Sequence, residues 1–334
     1  MRKKAFSLLS GGLDSLIATR LVMAQGIEVV GLHFITPFFG YDAKGREADY
    51  LENMRRNYGI EARVIDVGEE YFQILRHPRY GYGKNFNPCV DCKVFLFSKA
   101  KKMLEEEKAD FLVTGEVLGQ RPMSQRRDTL RIVERDSGTE GLLLRPLSAR
   151  NLNPTQPEIQ GFIDREKLLG LKGRGRKPQI KLADEFGIRN FPAPAGGCVL
   201  TDPILSKRIR NHFSSRPVVT VNEVLLLQVG RHFLVGDQDW FILGRNEEEN
   251  SKLEKLGREG DFFLKMEAIP GPLGILRGKG NLDGIQAAAA ILVHYSKAKT
   301  QEAAAVLYGR GPEDSPNHLT VRPAREEEIA LLRL

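Results

Sequence analysis

Two stretches of this chain hold residue types that do chemistry. Ser10-Gly11-Gly12-Leu13-Asp14-Ser15 follows directly on the apolar run Ala5-Phe6-Ser7-Leu8-Leu9 and precedes the helical pattern Leu16–Leu21. A strand that enters a glycine turn and then a helix makes an anion cradle. Gly11 and Gly12 let the backbone approach a phosphate, and Ser10, Ser15 and the free N–H groups of the helix start donate to it. A Walker loop would place a lysine after the glycines, and this turn has none. Asp14 is the candidate for holding Mg2+ or moving a proton, and it can also cap the helix. The plain alternative is a glycine-rich turn without a ligand.

The second stretch is Asn87-Pro88-Cys89-Val90-Asp91-Cys92, which puts two thiols just before a helical pattern running from Val94 to Glu107. Cys198 stands far away in Gly196-Gly197-Cys198. A helix start is expected to lower a thiol's pKa. A CxxC pair by itself is shared by redox, zinc and iron–sulfur sites. Structural zinc takes four ligands, and no second CxxC or HxxxH pair exists. Cys89, Cys92 and Cys198 could hold a [4Fe-4S] cluster and leave one iron for an outside ligand. Cys89 and Cys198 alone could instead pass sulfur as a persulfide and then close a disulfide. Both routes stay open.

These residues need a frame. Ala5–Leu9, Glu28–Phe34, Ala62–Val67 and Ala109–Gly115 read as buried strands, and Glu47–Tyr58 and Val94–Glu107 as helices. This alternation predicts an α/β, Rossmann-like parallel sheet covered on both faces. Ligands of such sheets bind beyond the carboxyl ends of the strands. His33, Phe34 and Gly115 therefore join Ser10, Gly11, Gly12, Asp14 and Ser15 as candidate cofactor-binding residues. Leu130–Arg135 and Leu142–Arg145, joined by Asp136-Ser137-Gly138, read as a hairpin. Glu158–Leu169 and Gln179–Phe186 read as helices around a basic loop at 171–178, and Phe191–Cys198 as rigid turn chemistry. Beyond Asp202-Pro203 the pattern changes to antiparallel strands at 232–235, 240–243 and 262–264 and an alanine-rich helix at 285–299. The expected domains are residues 1–203 and a smaller α+β domain at 217–334.

Composition bounds the rest. A chain of 334 residues suits two domains. No apolar run approaches the roughly 20 residues of a membrane span, and a cytoplasmic protein without membrane contact is expected. The net charge is +7, and residues 121–181 alone hold 14 Lys/Arg against 7 Asp/Glu. An excess that follows a nucleotide site points to an anionic polymer, with a solvated face as the plain alternative. Arg121, Arg126, Arg127, Arg174, Arg176 and Lys177 are the candidate RNA contacts.

Taken together, SGGLDS, NPCVDC, the Thr114-Gly115-Glu116 strand end and Pro194-Ala195-Gly196-Gly197-Cys198 resemble the PP-loop ATP pyrophosphatases that thiolate tRNA, with an adenine nucleotide alpha hydrolase-like fold. The resemblance implies ATP, Mg2+ and a [4Fe-4S] cluster as cofactors, with Asp14, Cys89 and Cys198 catalytic. It implies adenylation of a tRNA uridine followed by sulfur insertion. The partners would be tRNA and a sulfur donor, either sulfide or a cysteine desulfurase, and the family leaves room for a homodimer. Arg231-His232-Phe233, Ile242–Asn246, Glu249-Asn250, Ile269–Pro272 and Val293–Lys299 resemble the RNA-binding domain of the NFACT family. Two other classes stand beside this reading: another PP-loop adenylating ligase, and a non-enzymatic RNA-binding factor.

Overall fold

β1 (Lys4–Leu8), β2 (Glu28–Ile35), β3 (Glu61–Asp66), β4 (Phe111–Thr114) and β5 (Leu143–Leu144) pair side by side in the order β3-β2-β1-β4-β5, all parallel. The computed structural model describes residues 2–191, 198–311 and 316–334. Parallel strands are covered on both faces and so read as continuous apolar runs. Ala5, Phe111 and Val113 pack in one layer with helix α1 (Leu13–Met23). Phe6, Leu32, Phe34 and Leu112 pack in the other. α2 (Glu47–Tyr58) and α3 (Gly68–Arg76) flank the β3 edge in sequence, and α4 (Cys89–Glu106) and α5 (Arg127–Ser137) cover the second layer through Phe97, Ala100, Leu104 and Val133. The strand order reverses between β1 and β4, which is where open α/β sheets bind ligands.

The structure corrects several expectations. Residues 127–137 form a helix and not the first arm of a hairpin. Leu130, Val133 and Ser137 are buried at helical spacing, and Gly138 (φ 66°) is a left-handed helix stop whose following N–H, from Thr139, bonds Glu134 O. β5 then pairs with β4 in parallel. The expected helix at 158–169 is only α6 (Gln156–Ile159), because Glu158 folds back to cap Thr155 and also pairs with Arg165, and Asp164 caps a separate turn. The CxxC does not precede its helix: α4 begins at Cys89, so both thiols lie in its first turn or just beyond. α7 (Lys177–Glu185) packs against α1.

The chain divides into two compact units, Met1–Lys207 and Arg208–Leu334, and the division falls within α8 (Pro203–Ser215). After α9 (Val221–Leu227), the second unit builds an antiparallel sheet from β6 (Arg231–Val235), β7 (Asp239–Leu243), β8 (Phe262–Met266), β9 (Gly274–Arg277), β10 (Ala304–Arg310) and β11 (Asn317–Val321), in the order β11-β10-β8-β9-β7-β6. α10 (Glu247–Leu256), α11 (Leu282–His294) and α12 (Glu326–Leu332) complete it. The small side chains of Ala288 and Ala289 let α11 sit close on this sheet's core. α11 stops at His294, short of the expected Lys299, because the Ser296 hydroxyl donates to Val293 O and accepts from Ala298 N. Among the described residues no helix is long and apolar enough to cross a membrane.

One core contact gives a pH prediction. His232 is fully buried, its Nε2 lies 2.8 Å from Val229 O, and its Nδ1 accepts the indole N–H of Trp240 at 2.9 Å. This arrangement fits the neutral ring, and burial holds the His232 pKa well below the ordinary histidine value. The unfolded chain takes up a proton below about pH 6.5 that the folded unit refuses, so stability falls as pH drops through that window. Trp240 is the single tryptophan. Urea unfolding followed by its fluorescence should show a midpoint that declines below about pH 6.5, and His232→Gln should flatten the decline.

Candidate nucleotide and thiol site

The turn after β1 is built as a cradle. Ser15 Oγ donates to Gly12 O at 2.7 Å and accepts from Ser10 N at 3.3 Å, and Gly12 N donates to Ser10 Oγ at 3.4 Å. Gly11 takes a left-handed φ of 74°. Gly115, just past β4, presses against this turn: a methyl group there would lie 2.5 Å from the backbone of Asp14 and Ser15. Such contact forbids any side chain at 115. Asp14 Oδ2 accepts from Gln120 Nε2 at 3.1 Å and faces Arg176 Nη2 at 3.9 Å. Asp14 Oδ1 is buried without a hydrogen-bond partner among the described residues.

His33 lies near the end of β2, its Nδ1 3.0 Å from the Leu9 carbonyl, and it stacks on Tyr50 at 4.3 Å between centroids. Burial lowers its pKa. Phe34 turns the other way, into the apolar layer beneath α4. Its side chain therefore does not share a face with His33.

The three cysteines come together across more than a hundred residues. Asn85 Nδ2 donates to Thr201 O at 2.7 Å and Phe86 N to Leu200 O at 3.3 Å. These bonds fasten the turn before Cys89 to the segment after Cys198. Residues 192–197, which hold most of the expected rigid turn, lie outside the described residues. Each thiol feels the charge of at least one other. Tyr71 is wholly buried beside Cys92 and partly offsets the effect of burial on its thiol. The helix start does not make these thiols acidic. Burial pushes Cys92 up to about 12 and raises Cys89 and Cys198, while Lys93 and Arg121 pull Cys89 part-way back. Among the described residues, no three His, Cys, Asp or Glu side chains are gathered to hold a metal ion. A cubane takes each thiolate on a different iron, so these three thiols, with cations beside them, have the right chemistry for it without meeting on one ion.

Sequence reasoning missed the parts that join the two sites. Gln120 and Arg121 are consecutive. Gln120 touches Asp14 of the cradle, and Arg121 acts on Cys89 and Cys198. Beneath them lies a buried ion network. Glu116 pairs with Lys93, next to Cys92, and with Arg145 at 2.8 Å, and Arg145 also pairs with Glu134. Burial works to raise the Glu116 pKa, but Lys93 and Arg145 outweigh it and hold the carboxyl below its ordinary range. A charge inside the apolar run Leu142–Leu147 was the signal for this network.

Of the basic candidates, Arg121, Arg126, Arg127, Arg174 and Lys177 are exposed, with Arg126 beside Asp128 and Arg127 bonded to Asn151 O. Arg176 turns inward to Asp14. In the second unit, the segments expected to resemble an RNA-binding domain converge on one cavity of about 990 Å³, lined by Arg231, Arg245, Asn250, Gly271, Tyr295 and Lys297 among others. The Arg231 guanidinium lies 4.4 Å from the centre of the Tyr295 ring.

Comparison with known proteins matches both halves. Residues 1–153 match the family described as thiamine biosynthesis protein (ThiI), and residues 230–332 the NFACT protein RNA binding domain. The chain is 26% identical over 278 residues to the tRNA-specific 2-thiouridylase MnmA of Mesoplasma florum, covering 74% of this chain and 70% of that protein. It is 34% identical over 119 residues to the "Probable tRNA sulfurtransferase" of Methanothermobacter thermautotrophicus, covering 35% of this chain and 30% of that one. Over its first half the chain is thus similar to tRNA thiolases. Its match to several of these thiolases spans only about a third of their length. Solved structures with similarity include a 4-thiouridine synthetase–RNA complex with bound ATP (24% identity, TM-score 0.40, 56% of this chain and 41% of that one). Another is the U34-tRNA thiolase NcsA of Methanococcus maripaludis with its [4Fe-4S] cluster (20%, 0.34, 68% and 71%).

The ion network carries the prediction for this site. Removing one partner of a buried ion set strands the others, so Glu116→Ala should cost about 3–5 kcal/mol of stability in urea unfolding. A cost below about 1 kcal/mol, the range of exposed pairs, would show that the network is not buried in solution.

Proposed function

We propose that this protein is an ATP-dependent tRNA uridine thiolase. The observation that supports it is the Gln120-Arg121 pair: Gln120 bonds Asp14 of the glycine turn, and the charge of Arg121 acts on Cys89 and Cys198. The uridine carbonyl oxygen attacks the α-phosphate of ATP. The bond to pyrophosphate breaks, and pyrophosphate leaves into the cradle of Ser10, Gly11, Gly12 and Ser15. Adenylation turns the carbonyl oxygen into part of a good leaving group. Sulfide then forms the carbon–sulfur bond, and AMP departs with the former carbonyl oxygen.

Asp14 would hold Mg2+, whose charge would offset that of the phosphates. Cys89, Cys92 and Cys198 would hold the cluster, which when bound supplies a Lewis-acidic iron for an outside sulfur ligand. Buried Tyr71 beside Cys92 supports a duty for the third thiol, which a persulfide pair of Cys89 and Cys198 does not give it. An amide-forming PP-loop ligase would have no use for the thiols.

RNA contacts divide between the exposed cations beside the cradle and the cavity of the second unit. Phosphate contacts position RNA without reading its sequence.

Two experiments test this reading. Anaerobically prepared protein given ATP, sulfide and tRNA should form thiouridine. Asp14→Ala should lose pyrophosphate release with an unchanged melting temperature, and Cys198→Ala should lose thiouridine. Thiouridine formation that survives both substitutions would overturn the reading. For the second unit, Arg231→Glu with Lys297→Glu should weaken tRNA in filter binding and flatten its salt dependence by about 0.7–0.9 in log–log slope per lost phosphate contact. An unchanged slope would remove that cavity from RNA binding.

A further inference from the structure

Arg176 comes from the basic loop whose other charges face outward. The loop is fastened to the segment after β4: Gly173 N donates to Leu118 O at 2.8 Å, and Lys172 bridges to Leu118. Arg174 and Lys177 are exposed on it, whereas the Arg176 side chain is only 23% exposed and faces Asp14. The 3.9 Å separation is long for an ion pair. Arg176 Nε and Asp14 Oδ1 are both buried without hydrogen-bond partners among the described residues. A guanidinium fork and a carboxylate thus meet at the mouth of a phosphate cradle with donor and acceptor capacity left over. So loose a pair contributes little stability, and separating it costs little.

We propose that Arg176 is a ligand of the ATP phosphates. This rests on the adenylation reading above. The planar fork of an arginine matches two phosphate oxygens, and charge-assisted bonds of this kind are about twice as strong as neutral ones. When ATP enters, Arg176 exchanges Asp14 for the phosphates and leaves Asp14 to the metal. The basic loop then works in two directions, with Arg174 and Lys177 toward RNA and Arg176 toward the nucleotide. Arg176 therefore does not belong with the RNA contacts among which its place in the sequence puts it.

The test titrates the full chain, without RNA, by calorimetry with ATP and separately with adenosine, and measures tRNA by filter binding. Arg176→Gln should weaken ATP about tenfold or more while adenosine binds as before, since only ATP carries the phosphates. Arg176→Lys should recover part of the loss, because it restores the charge without the fork. Arg174→Gln should leave ATP affinity unchanged and weaken tRNA. Arg176→Gln that binds ATP normally overturns the proposal, whether or not tRNA affinity falls. An equal loss of ATP and adenosine with a lowered melting temperature reduces Arg176 to a structural contact and also overturns it. A wild-type chain that binds no ATP overturns the adenylation reading itself, a different failure from an Arg176 variant that binds like wild type.

Discussion

At Gly115 the end of β4 lies so close to the turn after β1 that a methyl group would meet backbone atoms at 2.5 Å. This contact fixes the distance between the central strand's phosphate turn and everything that follows β4. Residues 116–121 inherit their positions from it. Glu116 drops into the ion network, Gln120 reaches Asp14, and the charge of Arg121 acts on Cys89 and Cys198. A larger residue at 115 would have to push the two strand ends apart, and the cradle and the cysteines would lose their common reference.

The ion network extends that reference downward. Lys93 sits next to Cys92 on α4, Glu116 follows β4, Arg145 follows β5, and Glu134 lies on α5. Four elements are tied through charges with little access to water. Buried pairs add little net stability over apolar packing, but breaking one is costly. The consequence is positional: α4, which carries two of the three thiols, is held to the strand end that also touches the glycine turn after β1. The third thiol is brought in by the bonds from Asn85 and Phe86 to the segment after Cys198.

Much of this was legible in the sequence. The parallel strands announced themselves as apolar runs, and the cradle by its glycines and its place between strand and helix. The failures have physical causes. Leu130–Arg135 contains apolar and charged residues in an order that fits a strand or a helix, and the helix wins because Val133 and Leu130 share one buried face and Gly138 ends it. β9 and β10 escaped because β9 spans only four residues and β10 opens on Ala304-Ala305 and carries Gly309, residue types depleted in strands. Helix-start electrostatics suggested acidic thiols, but burial dominates at Cys92. Arg176 read as one more charge in a basic loop, and only the fold turns it inward. Tyr71 and Gln120 gain their roles from contacts that no local pattern encodes.

The central claim is that the uridine oxygen itself is activated by ATP on this chain. It is tested most directly with tRNA carrying 18O at the carbonyl to be replaced. After one round with unlabelled ATP and sulfide, mass spectrometry of the nucleotide products should find the 18O in AMP, one label for each thiouridine formed. Label in pyrophosphate, or label retained in the tRNA while thiouridine accumulates, would contradict adenylation of the base.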